Sequence, residues 1–278
     1  MSKGLLYWKK IKAREQGEMD NMPIMQMAGS AQPVQRRGIS GSTLKIIAII
    51  AMLIDHIGAV VVLGFLQHAW YGKRLVTLYY VMRLLIGRIA FPIFCFLLVE
   101  GFAHTRNVKK YALRLLGFAL ISELPFNLAF EGKLFAPQYQ NVFFTLFIGL
   151  LVMIGYRAVT EKLAADKWMK LILYAALLGA GMGVAFLLKT DYDAIGVFCI
   201  MALYIFRRNK TAQIMAGCAG FLASCFFTGG SEMTAPLAFI PIGFYNGKRG
   251  LKMKYFFYLF YPVHLLVLYF IAYFLGLI

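Results

Sequence analysis

The sequence predicts an all-α protein whose helices form a polytopic transmembrane bundle. Hydrophobic residues make up 61% of the 278 residues and the mean hydropathy is +0.70, which is more apolar surface than a water-soluble core buries. The apolar residues fall in runs long enough to cross a bilayer, and the basic residues gather between those runs. These observations indicate a multi-pass membrane protein that contacts lipid.

Nine apolar helical runs follow one another along the chain, with eight or ten as open alternatives. A crossing needs about 20 residues, so the sixth and eighth runs are short and are expected to be tilted or kinked. The runs cover residues 44–66, 75–102, 111–130, 140–156, 171–188, 193–206, 211–228, 233–245 and 254–277.

Basic residues alternate between the segments that join the runs, and this alternation predicts the orientation. Cytoplasmic loops are richer in Lys and Arg than external loops. With the N-terminus inside, the segments on that side hold twenty-two basic residues and the opposite loops hold four. We therefore predict a cytoplasmic-membrane protein with a cytoplasmic N-terminus, a flexible tail over residues 1–43 and a transmembrane domain over residues 44–278.

Charge and motif content exclude several functions. The net charge of +17 is divided among short segments instead of forming one basic face of a soluble fold, so nucleic acid is not an expected partner. The sequence contains no metalloprotease, phosphate-loop or dinucleotide-binding motif. No metal is expected from the cysteines, which lack metal-ligand spacing and should pack as small hydrophobic residues: Cys95, Cys199, Cys218 and Cys225.

Asp55 and His56 lie in the middle of the first apolar run, near the bilayer midplane. An Asp at that depth costs about 2.5–3.5 kcal/mol on insertion scales, so intramembrane ionisable residues are candidates for function. A polar contact between two helices is the alternative interpretation.

Three more ionisable residues reach the same depth when positions are counted from the ends of the runs: Arg88, Glu123 and His264. Five such groups in one layer favour a buried reaction or transport site. Two alternatives stay open, namely a structural ion pair between Arg88 and Glu123, and a metal site formed by His56 and His264.

Two further patterns extend this layer toward the two membrane surfaces. Lys45 precedes His56 by eleven positions, which places both on one helix stripe about 16 Å apart and suits a substrate with an anionic head. A Lys that only reaches the headgroups explains the same position. At the external side, four polar residues are candidates for substrate binding, although helix packing explains the first two equally well: Asn141, Thr145, Asp191 and Asp193.

A set of strings in chain order resembles the TraX family of membrane acetyltransferases. The resemblance covers roughly residues 44–276, and its order is more specific than any single string. After the Asp-His run over residues 44–58, the strings are GRIAFPIFCFLLVEGFAHTR, ISELPFNLAF, NVFFTLFIGLL, DYDAIGVFCI and YPVHLLVLYF. TraX proteins are similar to the acyltransferase-3 superfamily, in which a basic residue precedes an essential first-helix His by ten intervening positions, as Lys45 precedes His56.

The resemblance implies transfer of an acetyl group from cytosolic acetyl-CoA to an acceptor at or across the membrane. The acceptor would be a protein N-terminus such as that of pilin, or an envelope glycan or lipid. His56 would be the catalytic base, with the other four midplane residues around it. A proton-coupled secondary transporter that uses the same residues is the alternative. A cytoplasmic basic collar would hold the phosphates of acetyl-CoA: Lys45, Arg106, Lys109, Lys110, Arg114, Lys252 and Lys254.

Overall fold

The computed structural model describes residues 38–68, 72–252 and 254–278. Residues 1–37 of the predicted tail therefore lie outside the described part of the chain. Within that part, the structure is helical without a named strand, and two isolated bridges join Ile39 to Tyr245 and Gln140 to Thr190. The predicted all-α class is confirmed.

Eleven α-helices make up the described chain. In chain order they are α1 (Gly41–Ile57), α2 (Leu63–His68), α3 (Lys73–Tyr80), α4 (Ala90–His104), α5 (Val108–Glu131), α6 (Val142–Lys162), α7 (Lys167–Leu187), α8 (Asp193–Ile205), α9 (Lys210–Ser224), α10 (Phe239–Gly243) and α11 (Lys254–Phe274).

Six helical stretches of the described chain are long and apolar enough to cross a membrane. They match six of the nine predicted runs: Gly41–Gln67, Lys73–His104, Val108–Glu131, Val142–Lys162, Lys167–Leu187 and Tyr255–Phe274. The other three predicted runs correspond to α8, α9 and α10 with the preceding 3-10 turn, and all three are shorter than a full crossing.

Polar caps fix where most of the long helices begin. A side-chain oxygen at the residue before each helix accepts a hydrogen bond from a backbone N–H of the first turn, which satisfies a donor that has no partner inside the helix. These caps are Ser40 for α1, Asn107 for α5, Asn141 for α6, Asp166 for α7 and Asn209 for α9.

The first two long stretches are irregular at matching positions. A π-helical turn, Gly58–Val62, follows α1, while a π-helical turn, Val81–Ile86, and a 3-10 turn, Gly87–Ile89, lie between α3 and α4. Such turns are frequent at functional sites. Gly87 is required here, since a Cβ at this position would overlap the side chain of Asp55.

Glycines also allow α6, α7 and α8 to pack closely. A Cβ on Gly149 of α6 would meet Ile200 of α8, and a Cβ on Gly181 of α7 would meet the Val152 side chain of α6. Small residues of this kind let membrane helices approach each other without a hydrophobic driving force.

We predict that Gly181→Ala destabilises the bundle, because Val152 is short and stiff and cannot move away from a new methyl group. Overpacking of this kind typically costs about 1–3 kcal/mol. Thermal unfolding in detergent should show a lower midpoint for this variant. Gly179→Ala is the matched control on the same helix, since a Cβ there meets nothing within 4 Å. Equal midpoints for the two variants would contradict the packing described.

Candidate functional site

A pair of histidines joins the first and last long helices at the centre of the site. His56 Nδ1 lies 2.7 Å from His264 Nε2, and the two ring planes are within 4° of parallel. His264 Nδ1 lies 2.8 Å from the backbone carbonyl oxygen of Phe260. Both histidines are buried, with 9% and 6% of their surfaces exposed. His56 thus faces another polar ring inside the bundle.

The hydrogen bonds of this pair assign the tautomers. The carbonyl of Phe260 can only accept, so His264 carries its proton on Nδ1 and accepts at Nε2. His56 must then donate from Nδ1, which leaves the lone pair of His56 Nε2 as the basic nitrogen of the pair. One backbone carbonyl therefore orients two imidazoles toward proton abstraction at a single atom.

Asp55 lies beside the basic nitrogen of the pair. Its Oδ2 atom is 2.5 Å from Arg83 Nη1 and 4.0 Å from His56 Nε2. Asp55 thus makes a polar contact between two helices, which the sequence left open as the alternative interpretation, and its carboxylate also lies close to its own neighbour. Arg83 was not among the predicted residues.

Arg88 and Glu123 form separate contacts, so the structural pair between them that the sequence left open is wrong. Arg88 Nη1 lies 2.8 Å from Glu232 Oε1, in the connection after α9. The amide nitrogen of Asn141 donates to Glu123 Oε2 over 2.6 Å and to the Ala119 carbonyl over 2.8 Å. These contacts place the start of α6 against the middle of α5, inside the bundle.

The segment before α8 closes the site from the side of the predicted external loops. Tyr139 donates to Asp191 over 2.5 Å, and Thr145 donates to Thr190 and to the Asp191 carbonyl. Burial raises the pKa of the Asp191 carboxyl, while the Tyr139 hydrogen bond and nearby arginines oppose that shift. Asp193 accepts from the backbone N–H of Ala194 at the start of α8.

These contacts bear on the four residues that the sequence proposed for substrate binding. Asn141 and Thr145 are buried and join helices or segments of the protein, as the helix-packing alternative expects. The Asp191 carboxylate accepts from Tyr139 and the Asp193 carboxylate from a backbone N–H. Their role as substrate ligands stays a prediction.

A cavity of about 640 Å³ extends along α1 toward the histidine pair. It is lined by Lys45 near the start of α1 and by Met52, about two turns further and one turn before His56. Tyr261 lines the cavity as well, and its ring centroid lies 5.9 Å from that of His56 and 5.6 Å from that of His264. The cavity therefore reaches a side chain that contacts both histidines.

The charged lining of this cavity is mainly basic and corresponds to part of the predicted collar. Lys45, Arg106 and Arg114 line it, together with Arg249, which was not predicted, and Glu100. We call the four basic residues the basic mouth. Three other predicted collar residues are exposed away from the lining, and the side chain of the last lies outside the described residues: Lys109, Lys110, Lys252 and Lys254.

Several buried polar atoms around the site have no hydrogen-bond partner in the described part of the chain. One carboxylate oxygen is left in this state on each of Asp55, Glu123 and Glu232, and so is the Nε atom of Arg114. Unpaired buried polar atoms are costly unless water or a ligand serves them. The layer around the histidines can therefore accept polar groups of a bound molecule.

Sequence reasoning missed four residues for different reasons. Arg83 lies in the second apolar run five residues before Arg88, about 7.5 Å nearer the external surface by helical rise, so the depth count placed it outside the midplane layer. Tyr261 has no charge to mark it among many aromatic residues. Glu232 belongs to a connection between helices, and no local signal shows that this connection meets the site. Arg249 lies in the same basic segment as the predicted collar residues Lys252 and Lys254, so the segment was predicted and the residue was not.

Fold and site together define a polytopic helical membrane protein with a buried polar centre and a cavity lined by basic residues. A family model described as TraX protein matches residues 40–272. The chain therefore belongs to the TraX family. It is also 32% identical over 249 residues to a protein of Dichelobacter nodosus described as a probable fimbrial assembly protein FimC, serogroup H1. That alignment covers 82% of this chain and 94% of the relative. Comparison with the solved structures gives no match.

We predict that Asp55 and Arg83 are energetically coupled. Asp55→Asn or Arg83→Gln alone leaves one buried charge without its partner, which typically costs about 3–5 kcal/mol. The double variant removes both charges and should lose less stability than the sum of the single losses. Thermal unfolding of the wild type, both single variants and the double variant measures this coupling. Additive losses would show that the ion pair does not stabilise the protein.

Proposed function

We propose that this protein is an integral membrane acetyltransferase, which moves an acetyl group from acetyl-CoA to an acceptor at the membrane. The observation that carries the proposal is the cavity that leads from the basic mouth to the residues around the His56–His264 pair. Membership of the TraX family and the resemblance to the acyltransferase-3 superfamily support the same activity.

The basic mouth suits the nucleotide end of acetyl-CoA. Phosphate groups bind strongly to guanidinium and ammonium groups through charge-assisted hydrogen bonds. Arg114 lines the cavity, so its guanidinium group is one of the cations that can bind a phosphate there. Lys45 lies over the ring of Phe257, 5.1 Å from its centroid, which holds the ammonium group at the wall of the cavity.

His56 acts as the general base of the transfer. The acceptor hydroxyl or amine attacks the thioester carbonyl carbon while His56 Nε2 takes its proton. The carbon–sulfur bond then breaks, the acetyl group stays on the acceptor, and the thiolate of CoA recovers a proton. Asp55, 4.0 Å from His56 Nε2, stabilises the imidazolium that forms, and His264 keeps the ring in the reactive tautomer.

The acceptor approaches from the side opposite the basic mouth. Polar groups that do not line the cavity are available to the acceptor: Arg88 with Glu232, Glu123 with Asn141, and Asp191. The relative described as a fimbrial assembly protein favours a protein acceptor such as the N-terminus of a pilin, with an envelope glycan or lipid as the alternative class.

We further propose nine helical passes in the cytoplasmic membrane, with a cytoplasmic N-terminus. The backbone N–H of Gly41 donates to Lys248, and that of Asp191 donates to Gln140. These two contacts join segments that the charge alternation assigns to the same side. The connection after α9 contacts Arg88 through Glu232, so this external connection dips into the bundle toward the site.

The proposed activity predicts that His56→Gln abolishes acetyl transfer. Purified protein in proteoliposomes is incubated with labelled acetyl-CoA and fractionated envelope material, and the label in each fraction is measured. Loss of the base should lower the rate by about 10²–10⁴-fold. His264→Gln should lower it less, because its amide can still accept from His56. Lys162→Ala, an exposed basic residue away from the cavity, is the control.

Two outcomes would contradict the proposal. Transfer at the wild-type rate by His56→Gln would remove the base. Absence of transfer by the wild type, together with uptake of a solute that depends on a proton gradient, would favour the transporter that the sequence left as the alternative.

A further inference from the structure

Tyr261 lines the cavity and contacts both histidines of the pair. It lies on α11, three residues before His264, and only 3% of its surface is exposed. Its ring contacts both imidazoles edge-on, and it also packs edge-on against Phe143, with ring centroids 5.0 Å apart. The ring is therefore held on several sides, so the direction of its hydroxyl group is fixed.

The start of α6 contacts the hydroxyl of Tyr261. The backbone N–H of Val142, the first residue of α6, lies close to the phenol oxygen. Backbone donors at a helix start carry partial positive charge. Among the described residues, no hydrogen-bond acceptor takes the proton of this phenol, so the proton is available to a molecule in the cavity, which Val142 and Tyr261 both line.

The fold brings this helix start unusually deep into the bundle. Asn141 caps α6 and is anchored to Ala119 and Glu123 in the middle of α5. The donors of the first turn of α6 therefore lie at the level of the site instead of at the membrane surface. A phenol and a helix start that meet in the lining of a cavity form a site for an oxygen that gains negative charge.

We infer that Tyr261, polarised by the start of α6, binds the carbonyl oxygen of the acetyl thioester and stabilises it during transfer. The inference rests on the proposed function. When the acceptor attacks, the electrons of the carbonyl double bond move onto that oxygen. They return as the bond to sulfur breaks. The phenol donates a hydrogen bond throughout and keeps its own proton.

Tyr258 provides the comparison that separates this role from simple packing. It lies one turn earlier on α11 and lines the same cavity, but its hydroxyl contacts Arg114 and its ring stacks on Phe118, 4.8 Å away. Tyr258→Phe removes one hydroxyl from beside Arg114 in the basic mouth. Tyr261→Phe removes one hydroxyl from beside the histidines. Both variants keep the aromatic ring and its packing.

The test uses acetyl-CoA that carries an isotope in the carbonyl carbon, bound to the purified protein. Infrared difference spectra report the stretching frequency of that carbonyl, and no acceptor is needed. We expect a lower frequency on wild-type protein than in water, and a return toward the solution value in Tyr261→Phe. Tyr258→Phe should weaken the binding of acetyl-CoA but leave the carbonyl stretching frequency as low as on the wild-type protein. Calorimetric titration with the same donor measures the binding of each variant.

The inference about Tyr261 and the proposed acetyltransferase function are contradicted by different results. The same shifted frequency in Tyr261→Phe as in the wild type would overturn the inference and leave the proposed function standing. Failure of the wild type to bind acetyl-CoA would overturn both. Once an acceptor fraction is known, Tyr261→Phe should lower kcat by about 10²–10³-fold with little change in the donor Kd. A change confined to the donor Kd would overturn the inference.

Discussion

The hydrogen bond between His56 and His264 is the interaction on which the site depends. Two imidazoles at bilayer depth have no water to satisfy their nitrogens, so each must find a partner inside the protein. The two rings, 208 residues apart in sequence, form a hydrogen bond with each other. The backbone carbonyl of Phe260 accepts the remaining hydrogen bond from His264. The fold must therefore hold the last long helix against the first. The result is one basic nitrogen with a fixed direction.

Charge is distributed unequally around that bond, and this distribution gives the site two different sides. The cavity side carries the four cations of the basic mouth with one acid, Glu100. Away from the lining of that cavity, the carboxylates of the site are matched by Arg83 and Arg88 or by neutral donors. An anionic donor is thus favoured on one side only. The π-helical turns after α1 and α3 lie beside the Asp55–Arg83 pair and allow the two helices to approach.

The sequence predicted the parts of this protein that depend on composition and helical period. The six long helices and the depth of His56 and His264 follow from counting along apolar runs. Pairing does not follow from counting, because it depends on how helices turn about their axes. Arg88 therefore met Glu232 instead of Glu123. The basic mouth was predicted in part, since Arg106 before α5 and Arg114 on α5 line the cavity, while Lys109 and Lys110 on α5 are exposed away from it.

The most direct measurement is an experimental structure of the protein with an acetyl-CoA analogue in which a methylene group replaces the thioester sulfur. The account predicts phosphates at the basic mouth, the arm of the analogue along α1, and its carbonyl beside Tyr261 and His56. An analogue bound elsewhere, or a His56 ring that points toward lipid with no path from the basic mouth, would contradict it.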